Sequence, residues 1–192
     1  MKVQILALSI IAGGAIAWTQ PAAAQPAPAT PAPAERADAK QADMKQKLDG
    51  EDEDFLERAA QAGHTEIAGS KLAQQKARSA DVKKFAEQMV ADHTKVGEQL
   101  AALARSKGYT PPDEPSLIDK AKLKTLEMRD EGFDKAYADE IGVQAHQDTV
   151  DLFKKAAEQA KDADVKAFAA KTLPALEQHL TMAKELQQKV GK

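Results

Sequence analysis

Cysteine is absent from all 192 residues, so no disulfide can staple the fold, and neither lipid attachment nor covalent haem attachment has a side chain to use. The core must hold the structure alone. Aromatic residues make up only 4% of the chain, and β-branched runs and strand-like alternation are also missing, which leaves little room for a sheet. No basic cluster stands out among 27 basic and 30 acidic side chains with a net charge of −3. Neither nucleic acid nor an anionic lipid surface is therefore given an electrostatic reason to bind. A Walker loop, a dinucleotide glycine fingerprint, a His-Glu-x-x-His zincin motif and a serine in an elbow-like glycine setting are all lacking. Those absences exclude the commonest nucleotide-dependent, zincin and serine-hydrolase classes.

Long hydrophobic runs are scarce too. One stretch, Val3 to about Trp18, follows Met1-Lys2 and leads into Pro21-Ala22-Ala23-Ala24. A positive start, a short apolar core and a small-residue site read as a secretory signal peptide over residues 1–24, cleaved after Ala24. The rival reading, a membrane anchor, needs ~20 apolar residues, and this run falls short and contains Gly13-Gly14. The expected destination is the periplasm of a Gram-negative bacterium or the exterior, with a mature charge of −4, because the leader carries one lysine and no acid. Residues 25–49 form a linker: Gln25 to Ala34 alternates Pro and Ala in a composition suited to extended polyproline geometry, and Glu35 to Leu48 is polar and weakly helical.

From residue 50 to 190 the sequence reads as one all-α domain. The predicted helices run from about Glu51 to Ala77, from Ala80 to Gly108, from about Gly132 to Ala160, and from Ala163 to Val190 behind an Asp162 cap. Between the second and third, Tyr109 to Pro115 holds three prolines and must be a loop, and Ser116-Leu117-Ile118-Asp119 starts a short helix to about Met128. Ala80-Asp81-Val82-Lys83-Lys84-Phe85-Ala86 recurs as Ala163-Asp164-Val165-Lys166-Ala167-Phe168-Ala169, each copy opening the second helix of a hairpin. Two related hairpins joined by a long crossover define a ferritin-like four-helix bundle.

Each long helix carries a polar residue that interrupts its apolar stripe: Glu66, His93, His146 and His179. On the second helix the stripe is Val82, Phe85, Ala86, Met89, Val90, His93, Val96, Leu100 and Leu103, so His93 points inward. His64, two residues from Glu66, falls ~200° round the helix on the outer face. Glu66 and His93 lie 13 and 14 residues from the turn at Ser79, or ~20 Å at 1.5 Å per residue; His146 and His179 lie 16 and 17 residues from Asp162, or ~25 Å. All four should meet near mid-bundle. Three imidazoles and a carboxylate on rigid helices suit one transition metal ion, Zn, Fe, Mn or Cu. Asp92, Asp139 and Thr149 are placed to accept from the imidazole N–H groups. The alternative is a metal-free buried network that specifies packing.

Phe55, Ala59-Ala60, Glu66, Leu72-Ala73, Val82-Lys83-Phe85-Ala86, Met89-Val90, Asp92-His93, Phe133, Tyr137, His146, Phe153, Leu173-Pro174 and His179 together resemble the domain of unknown function 4142 family of exported bacterial proteins. The resemblance spans about Asp52 to Leu186. It implies a ferritin-like bundle and places the family's Glu and His positions on Glu66, His93, His146 and His179. Where that family often has an acidic residue before the third-helix histidine, this chain has Ala145.

Di-iron sites of ferritin-like bundles take a Glu-x-x-His from each of two helices. Here Val90 precedes His93 by three and Leu176 precedes His179 by three, so the bridging carboxylates are missing and a ferroxidase is disfavoured. Haem ligation by His93 with Met89, or His179 with Met182, is weaker still, since such methionines usually fill cores. Pro174, inside the fourth helix, frees a carbonyl and bends the helix, either around the core or to set the angle of His179. Three functions follow: an exported binding or stress-related protein with a mid-bundle metal site, a structural module with an envelope protein partner, or a mononuclear metal-dependent oxidoreductase. The first fits best, which makes a binding protein the expectation over an enzyme.

Overall fold

A computed structural model describes residues 48–191; the expected leader and nearly all of the linker lie outside the described residues. No strand occurs among those residues, and none of their helices is long and apolar enough to cross a membrane. The chain runs α1 (Gly50–Lys76), α2 (Ala80–Ser106), α3 (Leu117–Glu127), α4 (Phe133–Tyr137), a π-helical turn (Ala138–Ala145), α5 (His146–Gln159) and α6 (Ala163–Val190). Local chemistry sets the boundaries. The Asp49 carboxylate accepts from the Glu51 amide ahead of the acidic first turn of α1, and Ser79, Ser116 and Asp162 cap α2, α3 and α6 in the same way. Gly108, at φ 78°, ends the turn after α2, a left-handed conformation that favours glycine.

Two aspartates fix the arrangement of the hairpins. Asp52, in the first turn of α1, accepts from the backbone amides of Lys161 at 3.2 Å and Asp162 at 2.8 Å, so it closes the turn between α5 and α6. Asp134, in the first turn of α4, accepts from the amides of Arg78 at 3.1 Å and Ser79 at 2.7 Å, closing the turn between α1 and α2. Each hairpin thus starts against the turn of the other. The two turns must lie at opposite ends of the bundle, and the segment carrying α3 must travel its length, as a ferritin-like crossover does. Lys107, just past α2, donates to the carboxylates of Asp162 at 2.7 Å and Asp164 at 2.6 Å, which ties the start of that crossover to α6.

The third long helix is not continuous as the sequence predicts. A π-helical turn separates α4 from α5, and Gly142 within it packs close to Ala183 on α6. Pro174 interrupts α6 at an exposed position, and Ala170, whose carbonyl loses its helical donor there, is exposed as well. The apolar core falls into two clusters. One gathers Phe55, Leu56, Leu100, Phe153, Val165 and Leu176; the other gathers Val82, Phe85, Met89, Phe133, Tyr137 and Leu186. Between them lies a polar layer.

Replacing Asp52, 2% exposed, by alanine leaves two turn amides without their acceptor and should cost about 1–3 kcal/mol in urea unfolding. Asp134→Ala, at a half-buried site, should cost less. Equal stability of both variants with the parent chain would mean that these turns are held by packing alone.

Candidate metal centre

The polar layer is built by one residue from each of α1, α2, α5 and α6. Glu66, His93, His146 and His179 are all buried, and the helical arithmetic brings them to one level. They do not meet as four equal ligands. His93, His146 and His179 each offer a ring nitrogen to a common space, these atoms all lying within 4.8 Å of one another, whereas Glu66 is not part of that group. It stands behind His93, with Oε2 3.0 Å from His93 Nδ1 and Oε1 3.6 Å from His146 Nδ1.

Every imidazole commits one nitrogen to an acceptor. His93 turns Nδ1 toward Glu66. His146 Nδ1 lies 3.0 Å from the Ile141 carbonyl, and since a carbonyl can only accept, the proton sits on Nδ1. His179 Nε2 lies 3.1 Å from Asp92 Oδ2. If the rings are neutral, the opposite nitrogens carry lone pairs: Nε2 of His93, Nε2 of His146 and Nδ1 of His179. The first two are 3.2 Å apart, and the third is buried with no hydrogen-bond partner. Facing lone pairs at that distance repel unless a cation, either a proton or a metal ion, lies between them.

The facing nitrogens of His93 and His146 have the spacing of two ligands of one ion. With metal–nitrogen bonds of about 2.1 Å, three imidazoles around a tetrahedral ion have nitrogens ~3.4 Å apart and ring centroids ~5–5.5 Å apart. The His93–His146 and His93–His179 centroids, 5.2 and 5.3 Å apart, fall in that range, whereas His146–His179 at 5.8 Å, and the 4.8 Å over which the three nitrogens spread, are wider, so the site would have to tighten around an ion. Donors of this kind, each backed by a carboxylate or carbonyl, are the arrangement that orients histidine ligands around an ion.

The electrostatics follow from burial and neighbours. Burial alone would raise the Glu66 pKa, but the imidazoles of His93 and His146, with hydrogen bonds from His93 and Thr149, bring it down to about 2. Burial works against charge on His93, yet the Glu66 carboxylate outweighs it and the pKa is raised. His179 is brought down to about 4, by burial first and then by the positive charge of the other two rings, against the pull of Asp92. It stays neutral at pH 7, the form that binds metals.

The outer partners differ in part from expectation. Asp92 does accept from a histidine. Thr149 instead donates, to Glu66 Oε1 at 3.1 Å, while Asp139 pairs with Lys135 and Gln187 away from the site. The Ile141 carbonyl was not foreseen, because it reaches His146 only through the π-helical turn. His64, predicted on the outer face, is half-buried and lines a cavity between α1 and α2. Ala145 leaves no carboxylate beside His146 on its own helix.

Helix order, crossover and polar layer together define a ferritin-like four-helix bundle. Over residues 32–186 the sequence matches the family described as domain of unknown function (DUF4142), and the chain belongs to that family. Among solved structures, a DUF305 fragment from Deinococcus radiodurans superposes with a TM-score of 0.65 at 12% identity, covering 75% of this chain and 99% of that one. A conserved hypothetical protein from Mycobacterium tuberculosis gives 0.58 at 18% identity, covering 72% and 91%. At such identities the likeness is one of fold. No curated protein matches the sequence.

The pKa directions give a pH profile for metal-free protein. His179, depressed from its ordinary 6.5 to about 4, contributes stability above pH 6.5 that is lost as the pH falls toward 4. His93, raised above 6.5, contributes stability below pH 6.5 that is lost as the pH rises through its folded value. Thermal melts in chelator should therefore show a maximum near pH 6.5, and His179→Gln should flatten the limb between pH 6.5 and 4. A melting temperature that climbs steadily on acidification to pH 4 would contradict this electrostatic picture.

Proposed function

We propose that this protein is an exported, periplasmic metal-binding protein that holds one transition metal ion on His93, His146 and His179, with Glu66 orienting His93 from behind. The observation that carries the reading is the convergence of ring nitrogens from three buried histidines, each of which also holds an acceptor. Export rests on the leader-like sequence of residues 1–24. An all-nitrogen donor set favours Cu or Zn over Fe and Mn. Three protein ligands leave a fourth position for water or another small ligand.

Binding is favoured over turnover because the site is enclosed. Phe85 lies against His146 with ring centroids 6.2 Å apart, His146 is fully buried, and the large cavity between α1 and α2 is lined by His93 and Glu66 but by neither His146 nor His179. A stress-related role is consistent with a protein that sequesters an ion in the envelope. The competing reading keeps the layer metal-free, with a proton shared between His93 and His146; the raised His93 pKa is the observation in its favour.

Isothermal titration of chelator-treated protein with Zn²⁺ and Cu²⁺ separates the two. Expected are one ion per chain and a rise in melting temperature of about 5–10 °C at a free ion concentration ~100 times Kd. Alanine at any of the three histidines should remove tight binding, and Glu66→Gln should weaken it roughly 10–100-fold. A melting temperature indifferent to both ions, with none retained on purification, would leave the shared-proton network as the role of the layer.

A further inference from the structure

A buried metal site still has to admit its ion, and a hydrated cation enters a protein only where polar groups replace the water it sheds. The polar layer offers few such groups to solvent. Glu66, His93, His146, His179 and Thr149 are all buried. The acceptors behind two of the histidines are inside the protein as well: Glu66 behind His93, and the carbonyl of buried Ile141 behind His146. His179 differs. Its acceptor is Asp92, whose side chain is 45% exposed. Among these described residues, Asp92 alone reaches water.

The other approach is the cavity of about 400 Å³ between α1 and α2, onto which Gly63 and Gly97 open. Its walls are largely apolar, with Ala59, Leu100, Phe153 and Leu176 contributing, and it borders neither His146 nor His179. Glu66 Oε2 is itself buried, 3.0 Å from His93 Nδ1. A cation in the cavity would therefore meet no available ligand atom on that carboxylate oxygen, and the Nδ1 edge of His93 is already committed.

Asp92 has an oxygen to spare. Both of its hydrogen bonds fall on Oδ2, which accepts from His179 Nε2 at 3.1 Å and from Gln88 Nε2 at 3.4 Å. Among the described residues no donor reaches Oδ1. The carboxylate lies against Nε2 of a ring whose other nitrogen, Nδ1, is buried in the layer without a partner. A carboxylate oxygen is an ordinary ligand for Zn²⁺, and an exposed negative charge at the mouth of a site raises the rate at which cations arrive, an effect that salt screens.

We infer that Asp92 is the capture residue of the site: its carboxylate takes the incoming divalent cation from solvent between α2 and α6, and the ion moves inward as the His179 ring turns from Asp92 toward it. This rests on the metal-binding reading above and adds the route and the residue that sets the rate of loading.

Stopped-flow uptake of Zn²⁺ by the chelator-stripped full chain, followed with a chromophoric indicator, measures arrival and release separately. Asp92→Asn keeps an oxygen for His179 Nε2 and loses the charge. Its association rate constant should fall at least about tenfold in dilute buffer, with the gap closing to roughly threefold or less in about 0.5 M salt and the dissociation rate changing less than about threefold. Asp92→Glu should recover most of the loss. Gly63→Leu and Gly97→Leu, which fill the cavity, should load as fast as the parent. Uptake by Asp92→Asn at the parent's rate, or affinity lost through faster release alone, overturns the inference and leaves Asp92 as an orienting partner of His179. Slow loading of either folded leucine variant would move the route to the cavity and overturn it as well. A parent chain that takes up no Zn²⁺ would instead remove the metal-binding reading, and the inference with it.

Discussion

The structure turns on the pairing of each buried imidazole with an acceptor on its far side. Without Glu66, the Ile141 carbonyl and Asp92, the three rings would be free to rotate and their inward nitrogens would have no defined protonation. With them, ring nitrogens from three rigid helices face a common space, in a layer that splits the apolar core in two. Burying so many polar groups is costly unless every one is satisfied. Glu66 Oε2 and His179 Nδ1 are the buried atoms in the layer with no aligned partner.

The bundle supplies the rigidity this needs. Asp52 and Asp134 lock each hairpin turn to the first helix of the other hairpin, and Lys107 binds the end of α2 to the start of α6. Movement of one hairpin against the other would break charge-assisted bonds at both ends of the molecule. The histidines from α2, α5 and α6 are therefore held in mutual register by contacts far from them. The small residues of α1 divide their roles: Gly69 lets α1 approach the π-helical turn, whereas Gly63 faces open space.

Much of this was legible in the sequence. Helix starts followed from Ser116 and Asp162; the repeated seven-residue segment marked the two hairpins; and counting residues from the turns put Glu66, His93, His146 and His179 at one level. Counting could not reveal which of them face the shared space, because that depends on side-chain rotamers and on the angle between helices. Glu66 was treated as an equal of the histidines for that reason. The π-helical turn was equally hidden, since a single widened turn leaves no change in composition. The cavity had a signal in Gly63 and Gly97, but an isolated helical glycine reads alike whether it admits a neighbour or leaves a space.

The widened turn before α5 changes which residues share a side of that helix. In a regular α-helix positions five apart diverge by ~140°, so Ile141 could not lend its carbonyl to the ring of His146; here it does, at 3.0 Å. Upstream of the turn, Phe133 and Tyr137 set the inward stripe, and downstream His146, Val150 and Phe153 set another. A helical wheel drawn through the whole segment blurs two amphipathic phases into one. Loss of one residue within Ala138–Ala145 would restore a single phase, swing Tyr137 away from Ser70, its hydrogen-bond partner at 2.9 Å, and leave the length of the bundle almost unchanged.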